Sequence, residues 1–360
     1  MAQIDAFFKL MNDQGASDLH LTTGSKPILR INGEMERINY KTLENDDLKK
    51  LLYEITPEEK IKVFEESGDV DFAYEIPGLS RYRANYFNQK WGIGAVFREI
   101  PSQILTTDQL GLPPVIKKLS SLPKGLVLVT GPTGSGKSTT LAAIVDECNS
   151  IRRDHIITIE DPLEFVHQSK NCLVNHREVG THTRSFAAAL RGALREDPDI
   201  IMVGEMRDLE TTALAIEAAN TGHLVFGTLH TTSAAKTVDR MIEQFPADQQ
   251  AQIRSSLADG LRAVVAQTLF KRIDKKGRVA ALEIMLATPA VRNLIRESKT
   301  FQIPSVIQTG KKFGMQSLDD AILDHLNAGR IDANDGYNKC LDKAKFRQYL
   351  TKSPDDFTDA

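Results

Sequence analysis

Gly131-Pro132-Thr133-Gly134-Ser135-Gly136-Lys137-Ser138 has the order G-x-x-x-x-G-K-S and follows the apolar run Leu126 to Val129, which reads as a buried strand. That chemistry is phosphate binding. Glycines at 131, 134 and 136 let the backbone turn tightly and bring several N–H groups onto a nucleotide's phosphates. The helix predicted from Ser138 to Asn149 adds its positive end. Lys137 would reach the β- and γ-phosphates, Ser138 would give its hydroxyl to Mg²⁺, and Thr139 opens the helix proper. Residues 131–139 are therefore expected to hold a nucleoside triphosphate.

Phosphoryl transfer to water also needs an acidic or polar group that orients the attacking water, and Mg²⁺ to bridge the phosphates. A strand predicted at 155–160 ends in Glu160-Asp-Pro-Leu-Glu164, and one at 199–204 ends in Gly204-Glu205. Both should reach the carboxyl edge of an open α/β sheet, where ligands bind. Glu164 and Glu205 are the candidate carboxylates, with Glu205 also a candidate Mg²⁺ ligand; helix capping and turn formation would use the same residue types. His223 and His230 flank the strand Leu224 to Leu229, and the one at its carboxyl end, His230, is placed to sense a γ-phosphate. Arg81 and Arg83 alternate with Tyr82 and Ala84 and so share one strand face, while Arg98 closes the next strand. Such guanidinium groups serve phosphoryl transfer when delivered across a subunit boundary, or else remain solvated on a strand face.

The elements that must position these groups fall into two parts. Residues 1–100 carry short alternating segments (28–31, 70–74, 82–87) broken by Gly24, Gly33, Pro77 and Gly78, with a helix at Asp46 to Tyr53, and read as a small α+β domain. Residues 101–114 mix turn formers with polar residues and read as the junction, able to act as a hinge. From 115 to 360, strands near 126–130, 155–160, 199–204 and 223–229 alternate with helices, the pattern of an α/β domain with a largely parallel sheet covered on both faces. One such helix is expected over 185–196, stopped by Pro198. The tail from Ser353 is polar enough to be disordered.

Lys plus Arg number 45 against 48 Asp plus Glu, a net charge of −3, which is unfavourable for a nucleic-acid partner. No apolar run approaches a bilayer span and no secretory signal opens the chain, so a cytoplasmic location is expected. Cys148, Cys172 and Cys340 are far apart and odd in number, and read as free thiols.

Leu194-Arg-Glu-Asp-Pro-Asp-Ile-Ile-Met-Val-Gly-Glu-Met-Arg-Asp208 resembles the signature of the secretion-type hexameric ATPases that drive type II secretion and type IV pili. Ile159 to Phe165 resembles that family's aspartate box, and Thr221 to His230 its histidine box. The resemblance covers nearly the whole chain. It implies a PAS-like first domain, a RecA-like P-loop domain, and a homohexamer that binds ATP and Mg²⁺ at subunit boundaries. It leaves open which acid activates water and which holds the metal. Ala290 to Glu297 resembles the motif of the family's retraction branch, with Val291 where isoleucine is usual. The implied partner is an inner-membrane pilus platform protein, met at the inner face of the bacterial inner membrane. Accessory retraction, secretion or pilus-assembly ATPases, and a nucleic-acid translocase, are the alternatives. In the 290–297 motif, Val291, Leu294 and Ile295 make one apolar face that is expected to form a working surface, with Thr288 as cap and Pro289 at the first helical position.

Overall fold

The computed structural model describes residues 2–31, 33–100 and 103–350, so positions 101 and 102 of the expected junction and the polar tail from Ser353 lie outside the described residues. Two compact units emerge: Met1–Gln103 with Pro162–Val166, and Ile104–Asp161 with His167–Ala360. The excursion of 162–166 into the first unit was not expected from sequence. Its Leu163 and Phe165 are buried.

In the first unit, strands β1 (Asp18–Thr22), β2 (Ile28–Ile31), β3 (Glu34–Arg37), β4 (Asp69–Ile76), β5 (Ser80–Gln89) and β6 (Gly92–Ile100) form an antiparallel sheet ordered β3-β2-β1-β6-β5-β4. Period-two alternation sends Leu19, Leu21, Tyr82, Ala84, Tyr86 and Phe97 to one face, where helices Asp5–Gln14, Asn45–Tyr53 and Glu58–Ser67 supply Phe8, Met11, Leu48, Leu52 and Phe64. Phe8 meets Tyr82 and Phe97 with ring centroids 4.3 and 4.9 Å apart. Polar residues, including the arginines, are left on the opposite face.

The second unit is built on β7 (Gly125–Thr130), β8 (His155–Glu160), β9 (Leu173–Glu178), β10 (Ile200–Val203), β11 (Leu224–Leu229), β12 (Leu261–Lys271) and β13 (Arg278–Leu286), ordered β13-β12-β7-β11-β10-β8-β9. All neighbours are parallel except the β12–β13 pair. Alternate residues of single strands enter different apolar clusters: Leu126 and Leu128 join one, Val127 and Val129 the other. Both faces of the sheet are therefore covered, as a RecA-like P-loop fold requires.

Two expectations need correction. The helix expected over 185–196 is shorter, Phe186–Ala193; Ser185 caps it by accepting from Ala188 N at 3.1 Å. It ends well before Pro198, where the chain tightens into three-residue turns: Arg195 N donates to Gly192 O at 2.9 Å and Glu196 N to Ala193 O at 2.8 Å. The helix Pro289–Arg296 forms as expected, with Pro289 in its first turn, but Thr288 makes no side-chain cap. Its Val291 and Ile295 are fully buried with Leu257, Ile303 and Ile307 and so belong to the core and not to an exposed working surface, while Leu294 is only partly buried against them. Cys148, Cys172 and Cys340 are buried free thiols, and burial pushes the Cys148 thiol up to about 12.

Candidate nucleotide site

β7 ends at Thr130, and the chain turns through Gly131, Gly134 and Gly136 at φ 145°, 77° and 86° before helix Lys137–Ile151 begins. An L side chain rarely takes these angles, which is why glycine serves here. Ser138 and Thr139 stand partly exposed in the first helical turn. Lys137 is buried, and its Nζ donates to the Gly131 carbonyl at 2.9 Å and the Pro132 carbonyl at 3.2 Å. The ammonium thus lies curled over the loop, close to where phosphates would sit. Positive-φ glycines, a helix N-terminus and this lysine together fit a nucleotide's phosphates.

Gln267 of β12, which sequence reasoning missed, joins this site from the side. Its buried amide bonds both Ser135 and Thr140.

The acidic side of the site comes from β8, β10 and β11, which are adjacent and parallel. Gly204 N donates to Ile159 O at 2.7 Å, which sets the end of β10 beside Glu160, the buried last residue of β8. Glu160 was passed over in favour of Glu164, yet it is the acid that stays at the strand end. Glu164 is exposed and belongs to 162–166, the segment that groups with the first unit. Glu205 follows at once after Gly204. Its loop is pinned to β11: Met206 N donates to Thr228 O at 3.0 Å, and Thr228 Oγ1 donates to Gly204 O.

The same oxygen of Glu205, Oε1, accepts from Arg207 Nε at 2.6 Å and meets His230 Nε2 at 2.7 Å. Partial burial raises the Glu205 carboxyl, but the Arg207 guanidinium and His230 more than offset that, so the group titrates below the ordinary glutamate range. Arg207 is a second residue that sequence reasoning left without a role. His230 stands at the carboxyl end of β11 as expected, whereas His223 at the other end faces Ala218 O through Nδ1 at 3.0 Å, a structural contact.

In the first unit, Arg83 and Arg98 are register partners on β5 and β6. They share the outer face with Arg81. Arg83 pairs with Asp71 at 2.5 Å, and Arg98 Nε with the buried Asp18 at 2.8 Å. Within one chain these two arginines are thus engaged by carboxylates.

The family model described as Type II/IV secretion system protein matches residues 2–287. "Type IV pilus retractation ATPase PilT" of Pseudomonas aeruginosa is 57% identical over 326 residues, 91% of this chain and 94% of that protein. "Twitching motility protein" of Neisseria gonorrhoeae is 52% identical over 305 residues, 85% of this chain and 82% of that protein. The crystal structure of the pilus retraction motor PilT with bound ADP is 42% identical, covers 97% of this chain and 99% of its own, and superposes with a TM-score of 0.89. With its phosphate loop, its acidic strand ends and a family match over most of its length, this chain belongs to the Type II/IV secretion system protein family.

Proposed function

We propose that this chain is an ATPase subunit of a hexameric motor that retracts type IV pili. The observation that carries the reading is a junction at one end of one parallel sheet: a phosphate loop after β7 and, on the two strands beyond it, His230 and Glu205 in contact at 2.7 Å. Likeness to the pilus retraction motors over nearly the full chain supplies the biological setting. The parts are a first domain of residues 1–100, a junction at 101–114, and an ATPase domain from 115 onward with its C-terminal helical region.

On binding ATP, backbone N–H groups of the loop and helix start take the phosphates, and Lys137 leaves its loop carbonyls for the β- and γ-oxygens. Bound Mg²⁺ would neutralise charge on the phosphates. Ser138 and Glu205 would offer it oxygen ligands. Glu205, whose carboxyl Arg207 and His230 hold low, accepts a hydrogen bond from the attacking water, and Glu164 is the second candidate for that task. His230 touches Glu205 directly and so can relay whether the γ-phosphate is present. Arg81, Arg83 and Arg98 act from a neighbouring subunit on charge that develops during transfer.

Hydrolysis moves the small domains against the ATPase ring and drives an inner-membrane platform protein, from the cytoplasmic face. Attachment there is through the partner; among the described residues no helix is long and apolar enough to cross a membrane. Steady-state phosphate release by the purified protein tests the catalytic half. Mg²⁺-dependent turnover that Lys137→Ala abolishes is expected, and ATP binding without turnover in the wild type would contradict it.

A further inference from the structure

β12 extends past the end of β7. Ala266 pairs with Thr130, the last residue of β7, and Gln267 comes next, beside the phosphate loop. The Gln267 side chain is 3% exposed and both ends of its amide are bonded: Nε2 donates to the Ser135 carbonyl at 2.6 Å, and Oε1 accepts from Thr140 Oγ1 at 2.7 Å. A backbone carbonyl can only accept, so the orientation of this amide follows from its partners. The loop is docked closely here. A Cβ on Gly131 would come within 2.3 Å of the Gln267 carbonyl oxygen, and one on Gly136 within 2.8 Å of its Nε2.

In a planar trans peptide the C=O and the following N–H point in opposite directions. Holding the Ser135 carbonyl against Gln267 therefore turns the Gly136 N–H away from β12, out of the packed side of the loop. Thr140, at the end of the first turn of helix Lys137–Ile151, holds the amide that does this. We infer that Gln267 is a positioning residue of the nucleotide site: by gripping the Ser135 carbonyl, with its own amide fixed by Thr140, it presets the Ser135–Gly136 peptide for phosphate and sets the affinity for a nucleoside diphosphate. Preorganisation of this kind lowers the ordering cost of binding. The inference rests on residues 131–139 being the phosphate site.

Binding of ADP to the full-length protein, with and without Mg²⁺, is the test, measured by titration calorimetry. Gln267→Met keeps the length and loses both hydrogen bonds. It should weaken ADP by about tenfold, the factor expected for one buried hydrogen bond that orders the site. KM for ATP should rise by a similar factor while kcat changes by less than about threefold, the mark of lost uniform binding. Thr140→Val removes only the hydroxyl and should weaken ADP measurably, whereas Thr140→Ser restores the donor and should bind within about twofold of wild type. Folded Gln267→Met with wild-type affinity overturns the inference. If that variant does not fold, the Thr140 pair decides, and equal affinities for Val and Ser overturn it. Lys137→Ala separates the levels: should it also bind ADP as the wild type does, the phosphate-site reading falls and the inference with it.

Discussion

Ile295 is fully buried in the core of the second unit beside Val291, Leu257, Ile303 and Ile307. Truncation to Ala removes three carbons, roughly 2.4 kcal/mol at about 0.8 kcal/mol per buried methylene, and the cavity left behind raises the total to about 2–5 kcal/mol. For a unit of this size each kcal/mol lowers the melting temperature by roughly 2–4 °C, so Ile295→Ala should melt roughly 4–20 °C below the wild type. Arg296, one residue on, is exposed and pairs with the exposed Asp259 at 2.5 Å. Losing such a surface pair costs less than about 1 kcal/mol, and Arg296→Ala should melt within a few degrees of wild type. Thermal unfolding followed by circular dichroism, with and without ADP, reads both. An Ile295→Ala protein that melts within about 2 °C of wild type would refute the packing argument. The contrast matters for coupling. Motility lost on truncating Ile295 is explained by destabilisation, whereas Arg296→Ala that keeps ATPase activity and loses retraction would place the working surface on the polar edge of this helix.

Glu205→Gln should leave ADP binding within about threefold and slow turnover by at least about tenfold, since it keeps the shape and removes the charge; the same change at Glu164 measures its share, and normal rates in both would refute the assignment. Arg81, Arg83 and Arg98 are expected to act in trans, so rings mixed from an inactive Lys137→Ala subunit and an inactive arginine-substituted subunit should recover measurable hydrolysis; demonstrably mixed rings without activity would count against it. Glu283 is buried, and its Oε1 accepts from Ala234 N at 2.6 Å; burial raises its carboxyl above the ordinary value, with Asp319 adding to the rise. A raised folded pKa makes the neutral form the one folding favours, so this stabilisation is present below the unfolded pKa and lost as pH rises through the folded one. Glu283→Gln keeps the acceptor and removes the charge, so its melting temperature should exceed wild type at pH 8, with the gap closing as pH falls; a gap that is constant with pH would refute this.

The phosphate loop was legible because its chemistry is contiguous: eight neighbouring residues carry the glycines, the lysine and the hydroxyl. β7, β8, β10 and β11 were legible as apolar runs, since a parallel strand buried on both faces is apolar throughout. β9, Leu-Val-Asn-His-Arg-Glu, is an edge strand with Leu173 exposed, and its polar composition hid it. β12 was missed because it starts directly after helix Gln250–Gly260 with no turn between them. With β12 went Gln267, a polar residue within a strand, 127 positions from its partner Thr140 and without any local signal of its role. The choice of Glu164 over Glu160 turned on where the chain leaves the sheet, which periodicity does not reveal. The 290–297 motif shows the complementary limit: spacing identified the apolar face of the helix correctly, but spacing does not say what covers that face.

If ATP turnover at this loop powers pilus retraction, fibre length in living cells must depend on it. The most direct test is to film fluorescently labelled pili in the host strain after deletion of its own copy, restored with the wild type or with Lys137→Ala. Pili should shorten again with the wild type and stay extended with Lys137→Ala. Shortening at the wild-type rate with folded, ring-forming Lys137→Ala protein would contradict it.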